Sequence, residues 1–187
     1  MLEEYYKILR ARMNNKRYEH SLNVAKQAVY LAQKYGEDIK KAEIAGLLHD
    51  VTKQTDEQEQ LRIISDAGLQ LSALELENKK LWHAISGMAF LKIKLNIADE
   101  GILNAIRYHT TGRAGMSLLE KIVFVADMTT EDRTSPEAKM VKRVAEDNLD
   151  KAVCLTAIAS MKLLMERMMV VAPDTLDTYN DNLKAFN

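Results

Sequence analysis

Residues 42–54 (AEIAGLLHDVTKQ) carry a run of small and apolar side chains directly into an adjacent His49-Asp50 pair. The run has helical periodicity, so we expect a packed helix to deliver an imidazole and a carboxylate to the protein interior. Burying an ionised Asp costs several kcal/mol, roughly, and is tolerated mainly when the charge is paired or bound to a metal. The simpler alternative is that both side chains finish the helix, hydrogen-bonded to each other and to water.

Helical rather than alternating periodicity extends over most of the chain, whose 187 residues include only 7 Gly and 2 Pro. We therefore predict an all-α fold. The length suits one domain over residues 1–187, with a core at about 17–135 and closing helices at about 136–187. The expected helices include residues 2–13, 39–48, 117–128, 149–171 and 173–186, whereas the pattern leaves 69–76 unassigned.

The charge balance excludes some function classes. A net charge of -1 gives no global electrostatic case for binding a nucleic-acid polymer or an anionic membrane, so any basic groups that matter act locally. No run approaches the ~20 apolar residues of a membrane span, and the first residues lack the apolar segment of a signal peptide. The single Cys154 lies in an apolar run and is interpreted as a buried hydrophobe. These features predict a cytoplasmic protein.

The four histidines all lie at or near the ends of predicted helices: His20, His49, His83 and His109. His20 is expected in the first turn of a long amphipathic helix that begins near Lys16 and ends near Gly36. Asp127 interrupts an otherwise apolar helix face. Any one of these residues alone is more often a hydrogen-bonded structural group. Together with Asp50 they make six imidazoles and carboxylates, which are better explained as one or two metal sites with mixed N and O ligands.

The donor set contains no Cys, which argues against a closed structural zinc site. Octahedral iron or manganese fits it better, and zinc and magnesium remain alternatives. Lys53, Arg113 and Arg133 each follow a proposed ligand shortly in the chain and are candidates for holding phosphate oxygens. For each of the three, a solvated surface charge is the alternative.

The order His20, His49-Asp50, Asp127 resembles the HD-domain metal-dependent phosphohydrolases. Four segments carry the resemblance: RYEHSLNVA (17–25), AGLLHDVTK (45–53), ILNAIRYHTTGRAGMSLLEKIVFVAD (102–127) and APDTLDTYN (172–180). Together they are similar to the bacterial YqeK subgroup, whose members resemble symmetrical dinucleoside tetraphosphate hydrolases.

The resemblance implies a di-iron centre that cleaves diadenosine tetraphosphate into two ADP by metal-activated water. It implies one metal with the ligands His20, His49, Asp50 and Asp127, and a second bridged by Asp50 and bound by His83 and His109. It also implies catalytic roles for Asp50, Lys53 and Arg133, of which the last two would bind phosphate. The expected nucleotide-binding loop is Thr110, Thr111, Gly112 and Arg113.

Two positions depart from the pattern of the resembled proteins. His83 is followed by Ala84-Ile85 instead of Gly-Pro, and residues 130–133 read Thr-Glu-Asp-Arg instead of Glu-Pro-x-Arg. Three other functions stay open: an HD-type phosphohydrolase of another nucleotide, a metal-containing nucleotide sensor with little turnover, and a helical adaptor. A homodimer through the methionine-rich segment 163–169 is a weaker expectation.

Overall fold

The computed structural model describes residues 2–186, and in this range the backbone forms eleven α-helices, two 3-10 helices and no strand. The α-helices are α1 (Leu2–Arg12), α2 (Asn15–Tyr35), α3 (Ile39–Leu48), α4 (Glu57–Asp66), α5 (Ala73–Glu77), α6 (Trp82–Lys94), α7 (Glu100–Arg107), α8 (Leu118–Thr129), α9 (Pro136–Val144), α10 (Leu149–Glu166) and α11 (Pro173–Asn182). The 3-10 helices are Lys79–Leu81 and Leu183–Phe186. The all-α prediction is confirmed.

Local capping chemistry sets several helix ends. The side chain of Asp38 accepts hydrogen bonds from the first backbone N–H groups of α3, which has the predicted bounds. A capping box between Ser117 and Glu120 starts α8 within a residue of its expected start. The predicted helix at 149–171 is too long, because α10 ends at Glu166 and Met168 adopts a left-handed backbone conformation with φ of 53°.

The small residues before the His-Asp pair let α3 approach α2 closely. A Cβ atom on Gly46 would lie only 2.9 Å from the Cα atom of Ala25 and 3.1 Å from the Cβ atom of Ala28. These two helices therefore touch through their backbones. Leu47 and Leu48 at the end of α3 are fully buried. The close approach brings His49 and Asp50 against the N-terminal half of α2, where His20 lies.

One expectation about His20 is wrong. The sequence places it in the first turn of its helix, but Asn14 caps α2 and the helix begins at Asn15, so His20 is the sixth residue, in the second turn. Since α2 continues to Tyr35, the carbonyl groups around His20 accept hydrogen bonds from the helix's own N–H groups.

Five helices surround the site-bearing residues: α2, α3, α6, α7 and α8 pack against one another. The buried α8 supplies Ile122, Val123 and Val125 to the apolar core. Helices α9 to α11 close the molecule, with α10 packing on α8 and on α11. No helix within residues 2–186 combines the length and the apolarity that crossing a bilayer requires.

Candidate metal centre

The structure brings all six predicted ligand residues together, five of them buried and Asp127 partly exposed. The imidazoles form a row in which neighbouring ring centroids are 5.0 to 5.5 Å apart: His20, His49, His109 and His83. His20 comes from α2, His83 from α6 and Asp127 from α8. The other three side chains follow the ends of α3 and α7. The packing of α2 against α8 brings His20 and Asp127, 107 positions apart, into contact.

The carboxylate of Asp50 lies along this row. Its Oδ2 atom is 3.4 Å from His49 Nε2, and its Oδ1 atom is 3.3 Å from His83 Nε2 and 3.5 Å from His109 Nε2. At the other end of the row, Asp127 Oδ1 lies 3.0 Å from His20 Nε2. Three sets of atoms are close enough to share an ion: His20 with His49 and Asp50, His49 with His109 and Asp127, and Asp50 with His83 and His109.

Hydrogen bonds at the outer nitrogens fix the orientation of the rings. Three rings donate Nδ1–H to the carbonyl oxygen three residues earlier in the chain: His49 to Gly46 at 2.7 Å, His83 to Lys80 at 2.8 Å and His109 to Ile106 at 2.7 Å. A carbonyl oxygen only accepts, so each of these Nδ1 atoms carries a proton. In the neutral rings the lone pair is then on Nε2, which faces the centre of the cluster, as in metal-ligating histidines.

Two of the inner atoms of the cluster lack hydrogen-bond partners, and two others face each other. His83 Nε2 and His109 Nε2 are 3.1 Å apart, so two lone pairs face each other. His49 Nε2 and Asp50 Oδ1 are buried and have no hydrogen-bond partner among residues 2–186. A buried polar atom without a partner costs about 1–3 kcal/mol. Ions bound between these atoms would remove that cost, and the donor set of imidazole nitrogens and carboxylate oxygens fits divalent metals.

The electrostatics of the cluster point the same way. Burial works to raise the pKa of Asp50, but the neighbouring imidazoles outweigh it and hold the pKa well below its usual value. Burial likewise raises the pKa of Asp127, and its contacts with His20, His49 and Arg133 lower it further than burial raises it. Both groups are thus carboxylates. Burial lowers the pKa of His49, yet Asp50 raises it above the usual value, so the site attracts positive charge into a fully buried ring.

Three cations lie around the cluster. Lys53 Nζ is 3.0 Å from His83 Nε2 at one end of the row, and burial lowers the pKa of Lys53. Arg133 donates from Nη2 to Asp127 Oδ1 at 2.8 Å at the other end. Arg17 donates from Nη1 to Asp50 Oδ2 at 2.7 Å. Arg17 is not among the site residues predicted from the sequence, although its position three residues before His20 puts both on one face of α2.

A cleft of about 480 Å³ opens beside the Lys53 end of the row. Lys53 and His83 form part of its floor, and Leu163, Leu164 and Val170 contribute an apolar wall. Thr110 lines the cleft, and its buried Oγ1 atom has no hydrogen-bond partner. This combination of an apolar wall and a few free polar groups is typical of a small-molecule site. A smaller cleft of about 230 Å³ lies at the Arg133 end, lined by Lys16, Arg17, His20, Asp132 and Arg133.

The expected nucleotide-binding loop divides into two parts. Thr110 and Thr111 line the larger cleft. Gly112 has a φ of 65° and contacts α11 so closely that a Cβ atom there would lie 2.3 Å from Thr178 Oγ1. Arg113 is not among the residues that line the cleft, and both arms of its guanidinium donate to the buried Glu120 carboxylate, at 2.6 and 3.0 Å.

This helical chain, with its cluster of histidines and aspartates, matches a known family of protein sequences. The sequence profile of the HD domain matches residues 17–132, a range that contains all six clustered side chains. This chain therefore belongs to the HD domain family.

Individual proteins match this chain over nearly its full length. The symmetrical bis(5'-nucleosyl)-tetraphosphatase of Bacillus subtilis is 38% identical over 178 residues, which are 95% of each chain. Its namesake from Staphylococcus aureus is 33% identical over 96% of this chain and 93% of its own. Among solved structures, a predicted HD superfamily hydrolase involved in NAD metabolism from Clostridium acetobutylicum superposes with a TM-score of 0.94. It is 33% identical, and the match covers 99% of this chain and 98% of that one.

Proposed function

We propose that this chain hydrolyses dinucleoside tetraphosphates symmetrically, with diadenosine tetraphosphate as substrate. The oxygen of one water forms a bond to one of the two central phosphorus atoms, the oxygen that bridges them leaves with the other half, and two ADP result. The observation that carries the proposal is the buried cluster of imidazoles and carboxylates with unpartnered ligand atoms beside a cleft. The names of the Bacillus and Staphylococcus relatives support the substrate class.

Two divalent ions suit the six side chains. The proposed ligands are His20, His49, Asp50 and Asp127 for one ion, and Asp50, His83 and His109 for the other. We propose iron for both, with manganese, zinc or magnesium as alternatives, because imidazole and carboxylate donors serve several of these metals. When bound, such ions activate water for attack on phosphorus and neutralise phosphate charge.

Lys53, Arg17 and Arg133 act on the polyphosphate in this proposal. Lys53 and Arg133 lie at opposite ends of the row of rings, and both clefts reach that row. A polyphosphate laid along the row would therefore contact a cation at each end. Guanidinium groups hold phosphate oxygens with two parallel hydrogen bonds, and an ammonium contributes a point charge.

The larger cleft is the proposed site for one nucleoside. Its apolar wall suits a base, and the free hydroxyl of Thr110 is available for a hydrogen bond to the base or the sugar. Thr111 lines the same surface. Gly112 and Arg113, by contrast, support this loop from behind through Thr178 and Glu120.

A second candidate substrate is a pyridine dinucleotide. The Clostridium relative is named for NAD metabolism, and it shares 33% of its residues with this chain. NAD also contains two nucleosides joined through phosphates, so the same clefts and cations suit it.

The test combines metal analysis with product identification. The protein is purified without oxygen, its iron and manganese are measured by elemental analysis, and it is then assayed on diadenosine tetraphosphate and on NAD. Chromatography separates ADP from AMP plus ATP. About two metals per chain with ADP as the only product is the expected result.

Asp50→Ala should lose turnover, and Asp147→Ala, which removes an exposed carboxylate just before α10, is its matched control for loss of charge. AMP plus ATP as products would show asymmetric cleavage and contradict the proposal. Metal without turnover of either substrate would favour a nucleotide sensor, and the absence of metal would favour a helical adaptor.

A homodimer through the methionine-rich face of α10 also belongs to the proposal. Leu163 and Met165 are exposed there, and Met168 is 94% exposed just beyond the helix. Sedimentation velocity of the wild type and of a Met165→Lys variant tests it, since only the wild type should associate. The cytoplasmic location stays a prediction from the sequence.

A further inference from the structure

His20 differs from the other three histidines in how its ring is held. His49, His83 and His109 each use a backbone carbonyl of their own segment. His20 lies inside α2, where the carbonyls are engaged by the helix. Its Nδ1 atom must therefore find a partner elsewhere in the molecule.

That partner is Asp132, which lies 112 positions away in sequence. Its Oδ2 atom accepts a hydrogen bond from His20 Nδ1 at 2.8 Å. The other oxygen, Oδ1, accepts from Asn23 Nδ2 at 3.3 Å. Because His20 and Asn23 are three residues apart on α2, one carboxylate spans one face of that helix.

The loop that carries Asp132 is itself anchored. Arg133 N donates to Thr130 O at 3.0 Å, which closes a tight turn. Arg133 also donates from Nε to the backbone oxygen of Asp127 at 3.1 Å. Asp132 is therefore held between α2 and α8, in contact with the outer nitrogen of His20 while Asp127 contacts the inner one.

We propose that Asp132 is a positioning residue that orients His20 for the metal shared with His49 and Asp50. Its carboxylate fixes the proton on His20 Nδ1 and turns Nε2 toward the cluster. The loop after α8 thus completes one metal site, whereas the site of His83 and His109 needs only its own backbone. This inference rests on the metal centre proposed above.

The role of Asp132 is tested by measuring metal affinity directly, without an activity assay. Metal-free protein is titrated with Mn²⁺ alone, and free Mn²⁺ is measured by electron paramagnetic resonance. Wild type is expected to bind two ions. Asp132→Ala is expected to bind one of them at least about tenfold more weakly, because partners of ligating histidines typically contribute 10–100-fold, roughly, to metal affinity.

Two further variants separate orientation from charge. Glu131→Ala removes the same charge from the same loop, but its exposed side chain does not contact His20, so wild-type affinity is expected. Asp132→Asn keeps an oxygen that accepts the proton of Nδ1 and should recover most of the affinity that Asp132→Ala loses. The Asp132 side chain is 44% exposed, so circular dichroism of all three variants should match the wild type.

Several results would overturn the inference. Asp132→Ala could bind both ions like the wild type, Glu131→Ala could lose affinity equally, or Asp132→Asn could be as weak as Asp132→Ala. A wild type that binds no Mn²⁺ would instead overturn the proposed metal centre, and the inference with it. Failure of the inference and failure of the proposed function are therefore distinguishable.

Discussion

The Asp50 carboxylate faces imidazoles on both sides: Oδ2 lies 3.4 Å from His49 Nε2, and Oδ1 lies 3.3 Å from His83 Nε2. Asp50→Ala should remove a ligand from both proposed sites and reduce metal content to well below one ion per chain. His83→Ala should remove a ligand from one site only and retain about one ion. Elemental analysis of the two variants measures this difference.

The difference in metal content between Asp50→Ala and His83→Ala tests whether Asp50 bridges the two proposed sites. If Asp50→Ala and His83→Ala lose the same amount of metal, Asp50 does not bridge two sites. Circular dichroism of the metal-free proteins is the control that both variants still fold.

Arg133 belongs to the chemistry rather than to the metal sites in the proposed function. Its side chain is 43% exposed and is not a proposed metal ligand, so Arg133→Ala should preserve the fold, and saturating metal in the assay keeps both proposed sites filled. A hydrogen bond to a charged group contributes about 1.5–3 kcal/mol, so kcat/KM should fall about tenfold or more. Steady-state kinetics on diadenosine tetraphosphate measure the effect. Arg143→Ala, another exposed arginine, is the control, and unchanged kinetics in Arg133→Ala would contradict the phosphate role.

Gly112, in the loop after α7, packs directly against Thr178 of α11. Gly112→Ala would force a Cβ atom to within 2.3 Å of Thr178 Oγ1 in a residue whose φ is 65°. We expect a loss of about 2–4 kcal/mol in the free energy of unfolding, from the left-handed backbone and from overpacking. Urea denaturation measures it.

A second glycine separates the two causes. Gly115 also has a φ of 65°, but nothing lies within 4 Å of its missing Cβ. Gly115→Ala should therefore lose only about 1–2 kcal/mol, the backbone part. Thr178→Ala, combined with Gly112→Ala, should recover part of the loss, and equal effects of both glycine variants would contradict the packing argument.

The pair of Arg113 and Glu120 joins the same loop to the start of α8. Burial raises the pKa of Glu120, but the hydrogen bonds from Arg113 and Ser117 outweigh it, so the pKa lies below its usual value. The carboxylate therefore stabilises the fold above the unfolded pKa of about 4.3, and this stabilisation is lost as the pH falls through the lower folded value.

Arg113→Ala should destabilise the protein at pH 7 by about 2 kcal/mol or more, less than the ~3–5 kcal/mol for a fully buried pair, because the Arg113 side chain is 34% exposed. The difference from the wild type should be smaller at pH 4 than at pH 7. Urea denaturation at both pH values measures it. A variant that is as stable as the wild type but has a raised KM would indicate a substrate contact, as the resemblance implied.

The reach of the sequence is visible in single helices. Periodicity predicted the bounds of α3 because a cap and an apolar run coincide there. It could not connect Asp132 to His20, since that contact depends on how α8 and α2 pack. The Ser117-x-x-Glu120 sequence is a capping-box pattern, which places Glu120 at the start of α8, close in the chain to Arg113. That pattern is a local indication of the Arg113–Glu120 pair. The early end of α10 had no such sequence signal, because methionine rarely adopts the positive φ that Met168 has here.

At the level of the entire chain, one domain over residues 1–187 stays a prediction, and its unfolding tests it. Trp82, the only tryptophan, is buried at the start of α6, so its fluorescence reports on the core near the clefts, whereas far-UV circular dichroism reports on all helices, including the closing ones. If the chain unfolds as one unit, the fluorescence and circular dichroism signals should give the same Tm. The effect of metal on that Tm is a second test. Mn²⁺ at about 100 times the Kd of each proposed site should raise the Tm in both signals by roughly 10–20 °C, because each of the two bound ions adds about 2.7 kcal/mol to the free energy of unfolding. Asp50→Ala is the control and should not respond to Mn²⁺. Two separate transitions would contradict a single domain and would indicate that the closing helices unfold independently of the core. A Tm shift in only one of the two signals would show that the metal stabilises only part of the chain.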